Sequence, residues 1–260
     1  MFENIESIVE KIHSTSPFFS LEINPKLSAK IKDENIDELK SFDKIDAFVV
    51  TDSPLARFKP SSILSSIKLQ NILQKPIICT LSMRDRNSIA LCGDILAANE
   101  LGLRLFLALT GDSIKNGDCD STKGVFESNS SKLATIIDDL NNGIAINKKP
   151  LIEKVQRIYH FAVINSYSNN QQSIKNKILK KISSNNISAL YSQPIYSKDR
   201  AEFLLSSINE ANTSFGTNTA LVLGFFAVTS YKTAIFLRDK LPGVYIPDKW
   251  IESLYIASQK

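Results

Sequence analysis

Seven short apolar runs, each set off from the next by a longer amphipathic or polar stretch, constrain this chain more than any other feature. They are "FFSLEI" (18 to 23), "DAFVVT" (46 to 51), "PIICTL" (76 to 81), "RLFLAL" (104 to 109), "FAVIN" (161 to 165), "SALYSQ" (188 to 193) and "ALVLGFF" (220 to 226). Most are apolar at consecutive positions, as strands buried on both faces are. Between them, Pro60 to Leu73, Ser88 to Leu101, Ser131 to Leu140 and Asp199 to Ala211 are each long enough for a crossover helix. Alternating strand and helix predicts an α/β fold with parallel strands. At 260 residues, 43% of them hydrophobic, the chain is large enough for one sizeable core and lies in the range of single-domain α/β barrels. We therefore expect a TIM-type (β/α)8 barrel as one domain over 1–260, incomplete in having seven recognisable strands. An N-terminal helix over about 1–14 carries Phe2, Ile5, Ile8, Val9 and Ile12 at helical spacing.

In such folds the C-terminal ends of the strands meet at one mouth, where chemistry takes place. The polar residues there are Glu22, Thr51 with Asp52, Thr80 with Ser82, Thr110 with Asp112, Asn165 and Gln193. Glu22 is the unusual one. Side chains alternate along a strand, so Phe19, Leu21 and Ile23 share one face while Ser20, Glu22 and Asn24 share the other. A carboxylate facing a packed core without a partner is costly, which points Glu22 into an enclosed polar space. Hydroxyls, amides and acids without an evident nucleophile favour binding of a polar heteroaromatic ligand over acyl transfer.

Other classes are disfavoured. The net charge is +4 and the densest basic cluster, "KNKILKK", reads as a solvated helix face, so no nucleic-acid surface is expected. Three cysteines without paired spacing and two distant histidines, His13 and His160, suggest neither disulfides nor a metal site. No apolar run reaches bilayer-spanning length and the N-terminus is too acidic for a targeting signal, which leads to a cytoplasmic expectation. Neither a dinucleotide nor a P-loop fingerprint occurs. Asn87 of "RDRN" is expected to cap the next helix, and Cys92 and Trp250 to lie in the core.

Four motifs in order carry a resemblance. "SMRDRNSIALCGDILAANELGLRLFLALTGD" with "VFES", preceded by "SLEINP" and followed by "YSQPIY" and by "GFFAVTSYKTAIFL" with "PGVYIP", resembles the methylenetetrahydrofolate reductase family over roughly residues 18 to 250. The resemblance implies a barrel holding FAD at its mouth that reduces 5,10-methylenetetrahydrofolate to 5-methyltetrahydrofolate with electrons from NADH or NADPH, in one-carbon metabolism and methionine biosynthesis. By position, Glu22 resembles the general acid that assists opening of the folate ring, where a leaving nitrogen needs a proton. Asp112 resembles the acid beside flavin and folate, whose charge can stabilise a cationic iminium. Gln193 and Tyr231 match substrate-binding positions; Thr51, Thr80, Thr110, Gly111 and Asp112 match flavin-contacting ones, and Lys181, or its neighbour Lys180, the flavin-phosphate lysine.

The chain departs from the family at "VINSYSNN" after the fifth strand and at "KISSNNISA" before the sixth. It stops at "DKWIESLYIASQK", where the resemblance implies a further helix and an eighth strand. An open sheet edge is a liability unless covered. The expectation is therefore a homo-oligomer, a partner subunit, or the N-terminal helix over that edge. Two alternatives follow: a related folate oxidoreductase fed by a partner protein, and a degenerate barrel serving as a non-catalytic folate- or flavin-binding subunit.

Overall fold

In the computed structural model, which describes residues 5–28, 30, 35–119, 121–241 and 243–259, strand and helix alternate as expected. Residues 1–4 of the expected N-terminal helix and Pro242 of "PGVYIP" lie outside the described residues. The elements are α1 (Ile5–Ile12), β1 (Ser20–Ile23), α2 (Ile36–Lys40), β2 (Ala47–Val50), α3 (Ser62–Leu73), β3 (Ile77–Ser82), α4 (Ser88–Glu100), β4 (Leu105–Leu109), α5 (Ser130–Asn141), β5 (Tyr159–Ile164), α6 (Gln171–Ser184), β6 (Ala189–Pro194), α7 (Lys198–Phe215), β7 (Ala220–Gly224), α8 (Tyr231–Lys240) and α9 (Asp248–Ser258). The strands stand in chain order, β1 to β7, and the pairings β1–β2, β2–β3, β3–β4 and β6–β7 are parallel. Sequential order without a reversal is the TIM-type arrangement and differs from a doubly wound sheet, whose order switches. The chain divides into two compact units, Met1–Phe161 and Ala162–Lys260.

In the first unit the apolar runs do what consecutive apolar residues require. Every residue of β2 and β3 is buried. Phe48, Val50, Ile77, Cys79, Leu81 and Phe106 pack against Leu69, Leu91, Ile95 and Leu133 of the helices. Helix starts are marked locally: the Asn87 side chain accepts from Ala90 N–H at 2.9 Å, the expected cap. Glu127 adds to it, accepting from Ser88 N–H at 2.8 Å and Ser88 Oγ at 2.9 Å. Asn99 and Asn141 each bond the backbone of Gln156 and Ile158 in both directions, fixing the chain as it enters β5. Helix α1 is tied by Glu6 to Arg104 and by Lys11 to Asp46, residues that precede β4 and β2. It is thus held at the N-terminal ends of those strands, away from the chemistry expected at the other ends. The three cysteines are free, and burial pushes the Cys79 thiol up to about 12.

The second unit is built differently. Ile174, Ile178 and Ile182 of α6 and Leu204, Ile208 and Ala211 of α7 pack with Leu190 of β6 into one core, and α8 and α9 close a smaller one around Leu237, Ile246 and Ile251. Strand β7 stands at the end of the strand order and none of its residues is buried. The expectation of burial on both faces fails there, because a last strand has a neighbour on one side only. Trp250, expected in the core, is 40% exposed and meets Tyr196 edge-on at 5.3 Å.

Candidate functional site

The alternation that singled out Glu22 is realised in β1. Ile23 is buried and Leu21 packs on the core, while Glu22 points to the opposite face, in register with Val49 of β2. Glu22 is exposed, not set in the enclosed space expected of it, because β1 turns that face toward solvent; protein packed around the carboxyl nevertheless removes enough water to raise it above the ordinary glutamate range. A carboxyl so placed holds its proton to higher pH than an open one.

Around the ends of β2, β3 and β4 the polar residues form a network. Thr51 donates its N–H to the Ile23 carbonyl at 3.1 Å and turns its hydroxyl to the same oxygen at 3.4 Å, joining β1 to β2. Buried Asp52 accepts from Ser82 N–H at 2.9 Å, Ser82 Oγ at 3.0 Å, Ser62 Oγ at 3.2 Å and Arg86 Nη1 at 3.2 Å. One carboxylate thereby links β2, β3 and the start of α3. Thr80 is buried within β3, in register with Leu107. Arg84, only 2% exposed, forks onto Asp85 at 2.6 and 2.8 Å and donates to the Ser53 carbonyl at 3.0 Å.

The loop after β4 completes this half. Thr110 Oγ1 accepts from Ser130 N–H at 3.2 Å, at the start of α5. Gly111 has φ +97°, and a Cβ there would lie 2.6 Å from Arg84 Cβ and 3.2 Å from Ser82 Cβ. Only glycine lets this turn rest on the end of β3. Asp112 Oδ2 accepts from Leu55 N–H at 2.6 Å, and Asp118 Oδ1 from Phe58 N–H at 2.9 Å. Both acids therefore grip the β2–α3 loop, where Ser53, Leu55 and Ala56 all have left-handed φ between 45° and 56°. Backbone of that kind persists in ordinary residues only where neighbours over-determine it. Sequence reasoning found Asp112 but missed this clamp, since nothing in "DSPLAR" marks a left-handed path and Asp118 reads as one more loop acid.

In the second unit the expected residues stand on three elements: Lys181 in α6, Gln193 in β6 and Tyr231 at the start of α8. Gln193 sits on a bulge. Register runs Tyr191 to Val222 and then Pro194 to Gly224, one residue longer on β6. Pro194 has no N–H to give the ladder, and Ser192 Oγ accepts the Gly224 N–H at 2.9 Å instead. A Cβ on Gly224 would come within 2.4 Å of the Ser192 carbonyl, so the bulge depends on that glycine. Bulges re-aim side chains beside sites. Tyr231 meets Tyr255 edge-on at 5.2 Å. Burial, then repulsion from Lys177 one turn away, pulls Lys181 below the usual lysine range, and a bound anion would reverse that shift. The altered segment after β5 has its own logic: Ser166 Oγ lies 2.9 Å from the carbonyls of both Pro194 and Gly243, and Tyr167 N–H donates to Gly243 at 3.0 Å. Tyr196, Phe225 and Trp250 cluster beyond the ends of β6 and β7, with Tyr196 Oη donating to the Phe226 carbonyl at 3.0 Å.

Among the described residues there is no cluster of three metal-ligating side chains, and no helix is long and apolar enough to cross a membrane. The sequence model of one family, methylenetetrahydrofolate reductase, matches residues 7–260. No curated protein matches the chain. Among solved structures it is similar to an uncharacterized protein from Clostridium thermocellum that binds two copies of 5-methyl-5,6,7,8-tetrahydrofolic acid. That match has a TM-score of 0.61 and 15% identity, covering 95% of this chain and 78% of that one. It is also similar to EDTA monooxygenase from Chelativorans sp. BNC1, with a TM-score of 0.55 and 10% identity over 93% of this chain and 77% of that one. At these identities both likenesses speak to the fold.

Proposed function

Because the chain belongs to the methylenetetrahydrofolate reductase family, we propose that it reduces 5,10-methylenetetrahydrofolate to 5-methyltetrahydrofolate with a bound FAD and a reduced nicotinamide, NADH or NADPH. The observation that carries this reading is the family match over residues 7–260; Glu22, at the expected strand position and with its carboxyl raised by desolvation, is its proposed acid. Opening the folate ring needs an acid that still holds its proton near neutrality. Glu22 would deliver that proton to the leaving nitrogen. Asp112 would hold a negative charge beside the cation that results, and Gln193, re-aimed by its bulge, would hydrogen-bond the pterin. Tyr231 would lend ring surface to the substrate.

The donor set suits a flavin. Hydroxyls of Thr51, Thr80 and Thr110, the backbone at Gly111 and the Lys181 ammonium are of the kinds that hold a ring edge and a phosphate, and the crowded Lys181 is a cation that gains from an anion nearby. FAD, when bound, supplies the hydride relay. The protein's own part is to position, polarise and exclude water. One observation favours the non-catalytic folate- or flavin-binding alternative: Asp112 is already engaged by Leu55 N–H.

The visible spectrum of the purified protein decides between them. We expect flavin absorbance that bleaches with reduced nicotinamide and returns with methylenetetrahydrofolate; a colourless protein that neither binds added FAD nor turns over ends the reductase reading. Glu22→Gln should leave flavin reduction nearly intact and slow folate reduction by about 10²- to 10⁴-fold. Equal loss of both half-reactions removes Glu22 from the acid's role.

A further inference from the structure

Arg84 is only 2% exposed, and a guanidinium is costly to bury. Stability alone is a poor reason for it, since apolar residues of similar volume often serve as well as a buried ion pair. Its use lies in what it holds in place. Nε and Nη2 fork onto Asp85 at 2.8 and 2.6 Å, which fixes the guanidinium plane. The remaining contacts reach far along the chain. Nη1 donates to the Ser53 carbonyl at 3.0 Å, and the Arg84 carbonyl accepts from Val125 N–H at 2.6 Å. Gly111 rests on Arg84 Cβ, which an added Cβ would meet at 2.6 Å. One residue therefore touches the loops that follow β2, β3 and β4.

Two of these contacts lead to Asp112. Ser53 begins the left-handed path that includes Leu55 and Ala56, and Leu55 N–H donates to Asp112 Oδ2 at 2.6 Å. Gly111, pressed on Arg84, is the residue before Asp112. The carboxylate is thus bracketed by two parts that Arg84 fixes, while its Oδ1 accepts no hydrogen bond among the described residues. Charge agrees with geometry: burial works against the guanidinium, but Asp85, Asp52 and Asp112 outweigh it and raise Arg84 above the ordinary arginine range.

We propose that Arg84 is a positioning residue for Asp112, holding its carboxylate in place through the Ser53 carbonyl, the Leu55 amide and Gly111, with the second oxygen left for a cation formed beside it. The cation rests on the reductase reading; the relay from Arg84 to Asp112 does not. Lysine cannot replace this arginine, because one ammonium cannot fork onto Asp85 and reach Ser53 at once.

Two measurements on the full chain test it. Hydrogen exchange reads the relay without turnover: Arg84→Lys speeds exchange at the Leu55 amide about tenfold, while the β3 amides keep their protection. Rapid-mixing kinetics read the consequence. Asp112→Asn slows folate reduction about 100-fold, and Arg84→Lys slows it about tenfold with flavin reduction nearly intact. The double variant is no slower than Asp112→Asn alone, because Arg84 then has nothing left to position. Effects that multiply to about 1,000-fold give Arg84 a separate, structural role and overturn the proposal. Unchanged exchange at Leu55 overturns it too. Should Arg84→Lys fail to fold, Asp85→Asn, which weakens the fork and keeps Arg84, enters the same cycle under the same criterion. A protein that turns over folate while the effects multiply refutes the positioning alone. Leu55 exchange that follows Arg84 in a protein that binds no flavin and reduces no folate refutes the reductase reading and leaves the relay standing.

Discussion

The two units use the same alternation of strand and helix to different ends. In the first, the strands from β2 to β4 are almost wholly buried, and the polar residues at their ends are tied to one another and to backbone N–H groups by Asp52, Arg84, Asp112 and Asp118. In the second, β7 has no buried residue, and Leu223, Phe225, Phe226 and Trp250 remain 40 to 72% exposed. A hydrogen-bonded network of this kind fixes geometry before any ligand arrives. Exposed aromatic rings leave surface open for contact. The first unit is therefore where preorganisation resides, and the second is where something else has room to bind.

Phe106 should show the largest effect. It is fully buried in β4, and Phe106→Ala is expected to cost about 4 kcal/mol, the scale of an aromatic removed from a packed core. Urea unfolding measures it. A loss below about 1 kcal/mol would mean the first unit is less tightly packed than its burial implies.

Gly111→Ala comes next. The new Cβ meets the base of Arg84 at 2.6 Å, at φ +97°, and neither the backbone angle nor that contact can relax cheaply. About 3 kcal/mol is expected, combining backbone strain with overpacking. Thermal melts that leave this variant unchanged would separate the β4 turn from the end of β3.

How far the molecule could be read in advance differs between these same regions. The strands of the first unit, the Asn87 cap and the facing of Glu22 were legible because each rests on a local rule, alternation or capping, whereas the close approach that requires glycine in "TGD" shows only in the fold. The Ser53–Ala56 path was not, since its left-handed residues carry no glycine or asparagine to announce them and the acids that hold them arrive from some 60 residues further along the chain. Such a long-range clamp leaves no periodic trace. In the second unit the existence of β7 was legible, but the helix formed by "DKWIESLYIAS" was not, nor was burial: composition made "ALVLGFF" and Trp250 look like core, whereas burial depends on neighbours a sequence does not display. The bulge at Gln193 was not read, since it appears only once the register of β6 with β7 is known.

Asp118→Ala tests the clamp itself. It removes the acceptor of Phe58 N–H and should cost about 1 kcal/mol. The sharper measurement is hydrogen exchange: the Leu55 and Phe58 amides should exchange faster while those of β3 keep their protection. Unchanged exchange at Phe58 would show that the left-handed loop stands without Asp118.

A smaller and pH-dependent effect is expected at Glu22. Its folded-state pKa is raised by crowding, so between the unfolded value and that raised value the folded chain holds more protons than the unfolded one. Stability therefore falls as pH rises through that window. Glu22→Gln removes the titration. Its melting temperature should match the wild type at acid pH and exceed it at higher pH; the opposite trend would mean that Glu22 is stabilised as an anion.

The smallest change is expected at the site that mirrors Phe106. Phe225 follows β7, is 72% exposed, and its nearest ring is Tyr196 at 6.3 Å between centroids. Little of its surface leaves water on folding, so Phe225→Ala should shift stability by no more than about 0.5 kcal/mol. The same chemical truncation would then differ about eightfold in its effect between the two units. A loss of several kcal/mol would instead mean that the ring is covered in solution, by a second copy or another chain, and repeating the unfolding at several protein concentrations separates those cases. A covering by copies makes the midpoint rise with concentration; without that rise, the exposed rings of the second unit are open surface, not a concealed interface between copies.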